Sequence, residues 1–279
     1  MNIFISTTLH DDETTSGVFS LLDGAMDENL GIEIFPLCHI EGYFDRLDKM
    51  LPWLEWFPIT FHEPYFDADH TYERDSAQHR LTVEYCKRTF EYASILRAKY
   101  VAYHLNNREI ADREAMLGRA LQSLIETAEL AKSYGLDLLI ENTGVAGSKN
   151  VLLGQEDFIA LFKSFDCDCL IDVGHANCND WNLGAVMDKL HDRIRSYHLH
   201  NNFGVNDDHN RLSDGTLNLE RFFSYYRRYT PNTDVVLEYR PDLLRGNLDW
   251  LKDDISLVYD RACASPKTIR RHAFAAPSE

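Results

Sequence analysis

The feature that most constrains the fold is a regular alternation of short apolar runs with longer amphipathic segments along the chain. Apolar residues at helical spacing are clearest over residues 76–97 and 111–134. Alternating strands and helices build a parallel sheet, and eight strands are the count of a closed (β/α)₈ barrel, whereas doubly wound sheets usually stop at fewer. We therefore predict a single α/β domain with the (β/α)₈ TIM-barrel architecture. The predicted strands are residues 3–8, 31–36, 58–62, 99–105, 136–142, 168–173, 195–200 and 234–239, and the shorter predicted helices are residues 13–28, 41–54, 155–165, 183–190, 219–229 and 247–262.

The length of the chain agrees with one barrel. Its 279 residues compare with about 250 for a typical barrel of this class, and a hydrophobic content of 44% is enough for a full core. No linker, low-complexity segment or internal repeat divides the sequence. We expect the barrel to occupy residues 1–264 and residues 265–279 to form a loosely held C-terminal tail.

The charge balance disfavours one class of partner. Lys and Arg number 28 against 45 Asp and Glu, so the formal net charge is −17. Nucleic-acid binding gains most of its affinity from basic residues that neutralise phosphates, so DNA or RNA is an unlikely partner. The six cysteines form no CxxC pair, and no apolar run reaches the ~20 residues of a membrane span. We expect a cytoplasmic protein with reduced thiols and no membrane association.

Residues of metal-ligand type end six consecutive predicted strands. In a barrel of this type the functional residues lie at the carboxyl ends of the strands, so these side chains should share one rim. A buried carboxylate without a partner is destabilising, so apolar runs such as LLIE and VVLE need a cation or hydrogen-bond donors where they end. We predict a divalent-metal site there, although a single histidine could also be an ordinary core residue. The rim residues are His62, His104, Glu141, Asp172 with His175 just beyond it, His200 and Glu238.

A second concentration of such residues lies in the segment YHLHNNFGVNDDHNRLSDG, residues 197–215. His198 and His200 are one residue apart, so on a strand they face the same side. Asp207 and His209 follow in a loop rich in Asn, Asp and Gly. Imidazole and carboxylate are the usual ligands of Zn, Mn and Fe, which favours a metal site over a merely solvated loop.

These motifs carry a family resemblance. The stretches GIEIF, FHEPY, AYHLN, LIENTG, LIDVGHAN, HLHNN with DDHNRLSDG, and VLEYRP cover nearly the whole chain. The sequence resembles the xylose isomerase-like TIM-barrel superfamily, which joins sugar and sugar-phosphate isomerases and epimerases to endonuclease IV, the AP endonuclease family 2. In the isomerase and epimerase branch, the resemblance implies one divalent ion (Mn, Zn, Co or Fe), a carbohydrate substrate and often a homo-oligomer. The ligands implied for that ion are Glu141, Asp172, His200 and Glu238.

The resemblance to the endonuclease branch involves a larger set of residues in this sequence. It holds up to three zinc ions, and the matching candidates here are His62, His104, Glu141, Asp172, His175, His200, Asp207, His209 and Glu238. The endonuclease pattern has a single histidine on strand seven, where this chain has two. We favour His200 as the ligand because it lies one layer nearer the rim than His198. Substrate contacts are expected from His175, His198 and Arg240, and Lys149 is a further candidate for an anion contact.

The function predicted from the sequence is a metal-dependent sugar or sugar-phosphate isomerase or epimerase. Proton transfer next to a metal-bound carbonyl needs a base and a second group that returns the proton, and the resemblance implies Glu141 and Glu238 for these roles. The alternative is an endonuclease IV-like, zinc-dependent phosphodiesterase with a multinuclear site. Against it stand the net charge of −17 and rim loops that look short and acidic. The sequence also departs from the endonuclease pattern at the Val-Gly pair of IDVGHAN, where that pattern has a Cys before the His, and at the second histidine of HLHNN.

Overall fold

Eight parallel strands form a closed barrel in which the first strand pairs with the last. The computed structural model describes residues 1–8, 29–245 and 248–263. The closed ring of eight parallel strands confirms the predicted barrel. The predicted helix 13–28 and the tail 265–279 lie outside the described residues. The strands are β1 (Ile3–Thr8), β2 (Leu30–Phe35), β3 (Ile59–His62), β4 (Val101–Tyr103), β5 (Leu138–Glu141), β6 (Asp168–Asp172), β7 (Ile194–Leu199) and β8 (Asp234–Leu237).

Helices connect the strands and cover the outside of the barrel. Two of the longest begin at side-chain caps: Ser76 Oγ accepts a hydrogen bond from the His79 backbone N–H, and Asp112 Oδ1 accepts one from the Ala115 N–H, both at 3.1 Å. No helix in the described part of the chain is long and apolar enough to cross a membrane. The helices are α1 (Tyr43–Leu54), α2 (Ala77–Ile95), α3 (Arg113–Ser133), α4 (Gln155–Ser164), α5 (Val173–Cys178), α6 (Leu183–Leu190), α7 (Leu219–Tyr229) and α8 (Asp249–Cys263), with short 3₁₀ helices at Ala146–Ser148 and Pro241–Leu244.

Alternation along the strands separates an outer core from the barrel interior. Outward side chains such as Phe61 and Ile140 belong to the large core cluster that packs against the helices. A small interior layer is formed by Tyr100, Ala102, Leu139 and Leu170. Side chains two residues further along a strand face the same side. His104, Glu141 and Asp172 therefore lie one step above Ala102, Leu139 and Leu170, at the carboxyl ends of β4, β5 and β6.

Close packing of β1, β2 and β3 explains a glycine within a strand. A Cβ atom on Gly31 would lie 2.5 Å from the Pro58 carbonyl oxygen and 2.6 Å from the Phe4 ring. Gly118 provides a contrast, because it is exposed on α3 and a Cβ there would meet nothing within 4 Å.

The first prediction uses these two glycines. We expect Gly31→Ala to lower the free energy of unfolding by about 1–3 kcal/mol through overpacking. Gly118→Ala should raise it by about 0.5–1 kcal/mol, because alanine loses less backbone entropy in a helix interior. Chemical denaturation of both variants measures the two effects. Equal stability of Gly31→Ala and the unmodified protein would contradict the close approach of the three strands.

Candidate metal centre and substrate pocket

A cavity of about 370 Å³ opens at the carboxyl ends of the strands. Seven of the rim and loop residues predicted from the sequence line it, and the aromatic side chains of Phe35, Tyr65, Phe66 and Tyr239 contribute to its walls. This volume and this mixture of apolar and convergent polar groups are typical of small-molecule sites. The seven lining residues are His62, His104, Glu141, His175, Asp207, His209 and Glu238.

The central group of side chains converges on His198 Nδ1. This atom lies 3.0 Å from Glu238 Oε2, 3.3 Å from Glu141 Oε2 and 3.9 Å from Asp172 Oδ2. The other ring nitrogen, Nε2, lies 3.2 Å from Glu33 Oε2, so it can donate its hydrogen to that carboxylate. With the proton on Nε2, the Nδ1 lone pair and three carboxylates face one another. This arrangement of acceptors suits a divalent cation.

On strand seven the sequence predicts His200 as the ligand, whereas the structure places His198 at the centre of this group. His200 belongs to a second group, with His209 and Glu238, whose ligand atoms also lie close enough to hold a metal ion. In the sheet, Asp172 on β6 pairs with His198, so these two side chains lie at the same level. The expectation for His200 rested on its position near the end of the strand. The height of a side chain in the barrel depends instead on which residues of the neighbouring strands it pairs with. The pairing of β6 with β7 shifts by one residue between Cys169 and Leu170, and after this shift Asp172 pairs with His198.

His200 instead supports the central group from one side. Its Nε2 lies 3.2 Å from Asp172 Oδ2, so it can donate a hydrogen bond to that carboxylate, and its ring stacks on His209 with centroids 4.0 Å apart. The ring also occupies the space beside Gly174, where a Cβ atom would lie 2.0 Å from His200 Cε1. Glycine at position 174 is therefore required by the packing of His200.

One flank of the central group consists of His62, His104 and Glu141. His62 Nδ1 lies 2.7 Å from the Glu63 carbonyl oxygen, and His104 Nδ1 lies 2.7 Å from Asn107 Oδ1. Both Nδ1 atoms can thus donate, which turns the two Nε2 atoms towards each other at 3.0 Å. Glu141 Oε2 lies 3.1 Å from His104 Nε2. A proton or a metal ion is needed between these atoms.

The opposite flank consists of His175, Asp207 and His209. Asp207 Oδ2 lies 3.1 Å from His175 Nε2 and 3.0 Å from His209 Nε2. The Nδ1 atoms of the two rings face backbone carbonyl oxygens of Asn142 and Glu238, each at 3.1 Å. The sequence placed Asp207 and His209 in the site, and the structure brings both to the cavity wall beside His175.

Electrostatics within the site favour protons on most of the histidines when no metal is bound. Burial disfavours the imidazolium form of His209, but the charges of Asp207 and Glu238 outweigh it and raise the pKa of His209 to about 10. Burial is likewise outweighed at His175 and His198, whose pKa values rise well above the ordinary value because of the adjacent carboxylates. His62 differs, because burial and the neighbouring His104 lower its pKa to about 4.

Other predicted contacts differ in their placement. Arg240 lines the cavity, where it contacts Asn210 Oδ1 at 2.7 Å and pairs with Asp242 at 3.0 Å. Lys149 lies outside this cavity and pairs with Glu109 on the surface.

One residue of the site, Glu33, was not predicted from the sequence; it is a fully buried acid within β2. Its signal was available, because GIEIF places a charged residue in the middle of an apolar strand.

Comparison with known proteins places this architecture in a family. A family model described as xylose isomerase-like TIM barrel matches residues 41–254. The chain belongs to this family. Uncharacterized protein MJ1311 of Methanocaldococcus jannaschii is 27% identical to this xylose isomerase-like barrel over 176 residues, which are 57% of this chain and 57% of that protein. The match thus spans little more than half the length of that relative.

Solved structures share the fold over nearly the whole chain. A D-tagatose 3-epimerase-like protein is 20% identical, with a TM-score of 0.69 and coverage of 94% of this chain and 99% of that one. The IOLI protein with a bound zinc atom is 16% identical, with a TM-score of 0.74 and coverage of 94% and 98%. An AP endonuclease of family 2 from Brucella melitensis is 17% identical, with a TM-score of 0.68 and coverage of 91% and 99%. At these identities the likeness shows a common fold.

The second prediction concerns pH and the metal-free protein. The pKa of His209 is raised from 6.5 to about 10 on folding, so its contribution to stability is complete below pH ~6.5 and is lost as the pH rises through the folded pKa. We expect the unfolding temperature of chelator-treated protein to fall between these pH values, and His209→Gln to flatten that fall. Differential scanning calorimetry across the pH range provides the measurement.

A matched control is His191→Gln, which removes an exposed histidine that lies on the surface after α6. It should leave the pH profile unchanged. Identical profiles for His209→Gln and the unmodified protein would rule out the Asp207–His209 pair as a source of stability.

Proposed function

We propose that this protein is a metal-dependent isomerase or epimerase of a small carbohydrate. The observation that carries the proposal is the pair Glu141 and Glu238, which flank His198 Nδ1 at 3.3 and 3.0 Å on the floor of the cavity. They come from β5 and β8, on either side of β7. Two carboxylates facing one small pocket can serve as the base and the acid of a proton transfer.

The residues present fit a divalent cation. We assign its ligands as Glu141, Asp172, His198 and Glu238, with His198 replacing the His200 predicted from the sequence. Glu141 Oε2 and His198 Nδ1 are buried and have no hydrogen-bond partner of adequate geometry among the described residues, which is expected of atoms that bind a metal. When bound, such an ion stabilises the negative charge that develops on substrate oxygens during proton abstraction. Zn, Mn, Co and Fe all suit imidazole and carboxylate ligands.

The side chains around the ion have separate tasks. Glu33 fixes the proton of His198 on Nε2 and so keeps Nδ1 directed at the centre. His200 Nε2 orients Asp172 through Oδ2, the carboxylate oxygen that also faces His198. Of the two glutamates, one removes a proton from the carbon beside the carbonyl, and the other returns a proton to that or the adjacent carbon. His62 Nε2 carries no proton when Nδ1 donates to the Glu63 carbonyl, so it is placed to accept a hydrogen bond from a substrate hydroxyl group. His104 and His175 line the same cavity and face substrate oxygen atoms there.

The cavity favours a small polar substrate. Its volume of about 370 Å³ and its aromatic walls suit a single sugar, whose apolar faces stack on rings while its hydroxyl groups bind amides such as Asn106 and Asn107. The net charge of −17 opposes a polyanionic substrate. Structures named for D-tagatose 3-epimerase-like and D-psicose 3-epimerase proteins share the fold, which supports a carbohydrate substrate.

A hydrolytic function is the second candidate, and a specific observation favours it. In each flank, two histidines have their Nδ1 atoms held by other groups. The Nε2 atoms of His104, His175 and His209 face a carboxylate, and that of His62 faces His104. These flanks could hold further zinc ions, with Glu141 shared between two of them. A multinuclear site of this kind suits the hydrolysis of phosphate esters.

The third prediction tests the two glutamates. Glu141→Gln and Glu238→Gln should each lower kcat by at least about 100-fold, because the neutral amide cannot accept a proton. Glu84→Gln, on the exposed face of α2, is the matched control and should keep full activity. Circular dichroism should show the same fold in all three variants. Full activity of either site variant would contradict the two-carboxylate mechanism.

The fourth prediction separates the two candidate reactions. We expect protein purified without chelator to contain a transition metal by elemental analysis, and chelation to remove its activity. In D₂O, a panel of ketoses should show deuterium incorporation at carbon during turnover, because the proton is exchanged at the base. Cleavage of an abasic-site duplex or a simple phosphodiester without any such exchange, together with about three bound zinc ions, would favour the hydrolase instead.

A further inference from the structure

We propose a second metal site, separate from the pocket, formed by Glu63, His70 and Cys86. It lies between the barrel and its helices. Glu63 directly follows His62, so the two side chains face opposite sides of the strand: His62 points into the cavity, and Glu63 points outwards towards α2, which carries Cys86. None of the three side chains lines the substrate cavity. The inference does not depend on the function proposed above.

The three side chains lie close together. His70 Nε2 lies 2.8 Å from Glu63 Oε2, and His70 Nδ1 lies 2.9 Å from Ser123 Oγ. One ligand atom from each of Glu63, His70 and Cys86 lies within 4.8 Å of the other two. Around a tetrahedral zinc ion such atoms are about 3.3–3.5 Å apart, given the usual zinc–ligand bond lengths. Closing the site therefore requires only small side-chain movements.

Burial makes a cation the natural partner of this cluster. Glu63, His70 and Cys86 are at most 3% exposed. Glu63 Oε1 is buried without a hydrogen-bond partner among the described residues, in a layer that also contains Phe90 and Ala93 of α2. An unpaired carboxylate oxygen in such a layer is strongly destabilising. A metal ion bound to Glu63 Oε1 and Cys86 Sγ satisfies both atoms.

The contact of His70 with Ser123 and a neighbouring surface pocket also agree with a metal site here. The Ser123 hydroxyl lies 2.9 Å from His70 Nδ1 and can accept its proton, and in that tautomer Nε2 is free to bind the ion. A surface pocket of about 150 Å³ is lined by His70 and Ser123, so it reaches the His70 side of the cluster. Binding of a metal ion would release the proton of the Cys86 thiol. One sulfur, one nitrogen and one oxygen ligand suit Zn²⁺.

A metal ion here would stabilise one wall of the substrate pocket. The segment 63–72 carries Tyr65 and Phe66, which line the cavity. It also carries Asp69, whose carboxylate accepts the backbone N–H groups of Asn107 and Arg108 at 2.6 and 3.0 Å. Joining this segment to α2 through Cys86 fixes its position from behind, so the ion acts on the fold rather than on substrate.

The fifth prediction uses cobalt as a probe of the sulfur ligand. Chelator-treated protein is titrated with Co²⁺ alone, and the near-ultraviolet thiolate-to-cobalt charge-transfer band is recorded. No cysteine lines the substrate cavity, so a thiolate band that is present in the unmodified protein and lost in Cys86→Ala reports on the Cys86 cluster. We expect the band in the unmodified protein and in the control Cys169→Ala, which removes another buried cysteine. Cys86→Ala should lose the band and about one equivalent of bound cobalt.

Glu63→Gln is a second variant in case Cys86→Ala fails to fold. It keeps the size of the side chain and removes the charge, and we expect its cobalt affinity at this site to fall at least tenfold. The absence of the band from the unmodified protein would overturn the proposal, and so would its persistence in Cys86→Ala. Either result would leave the cluster as a buried, hydrogen-bonded pair of His70 and Glu63 and would not bear on the proposed function.

Discussion

Buried negative charge at the mouth of an apolar barrel is the constraint on which the rest of the structure depends. Leu139 and Leu170 fill the interior, and the next inward positions on the same strands are Glu141 and Asp172. Carboxylates at such depth are stable only when cations or hydrogen-bond donors face them. The groups facing them are imidazoles, and most of these are held by a second contact on the other ring nitrogen. The centre is therefore oriented by the fold itself, with strand register setting the height of each ligand.

Two departures from the endonuclease pattern arise from one packing arrangement. The second histidine of HLHNN, His200, lies against position 174, where any Cβ atom would come within 2.0 Å of its ring. A cysteine in place of Gly174 is thus incompatible with His200 in this position. The glycine at position 174 and the second histidine, His200, are therefore one structural difference and not two. Its effect on the site is that His200 orients Asp172 through a hydrogen bond. As one difference, they are a weaker argument against a hydrolytic function. The net charge of −17 still opposes a polyanionic substrate.

The barrel and its rim were predictable because burial leaves a periodic signal and parallel strands bring their ends together. Other features depend on relations between strands that one sequence does not display. The level of His198 follows from its pairing with Asp172, and counting residues from the strand end pointed to His200. Glu33 was missed because it lies within β2 and not at its end. Helix α5 was unexpected, and it begins where Asp172 accepts the His175 backbone N–H at 2.5 Å.

The number of bound ions and the type of reaction are linked through Glu141. Its Oε2 faces His104 and His198 at 3.1 and 3.3 Å, and its Oε1 faces His175 at 3.3 Å. If the His62–His104 flank held an ion of its own, Glu141 would serve both ions, would be a weaker base, and the site would suit activation of a water molecule. If that flank carries a proton instead, Glu141 binds one ion and keeps an oxygen atom with which to abstract a proton. The low pKa of His62 keeps its imidazole neutral at physiological pH, so its Nε2 lone pair is available to a cation. Under the proposed function, the affinity of this flank for a second ion would decide between the two reactions.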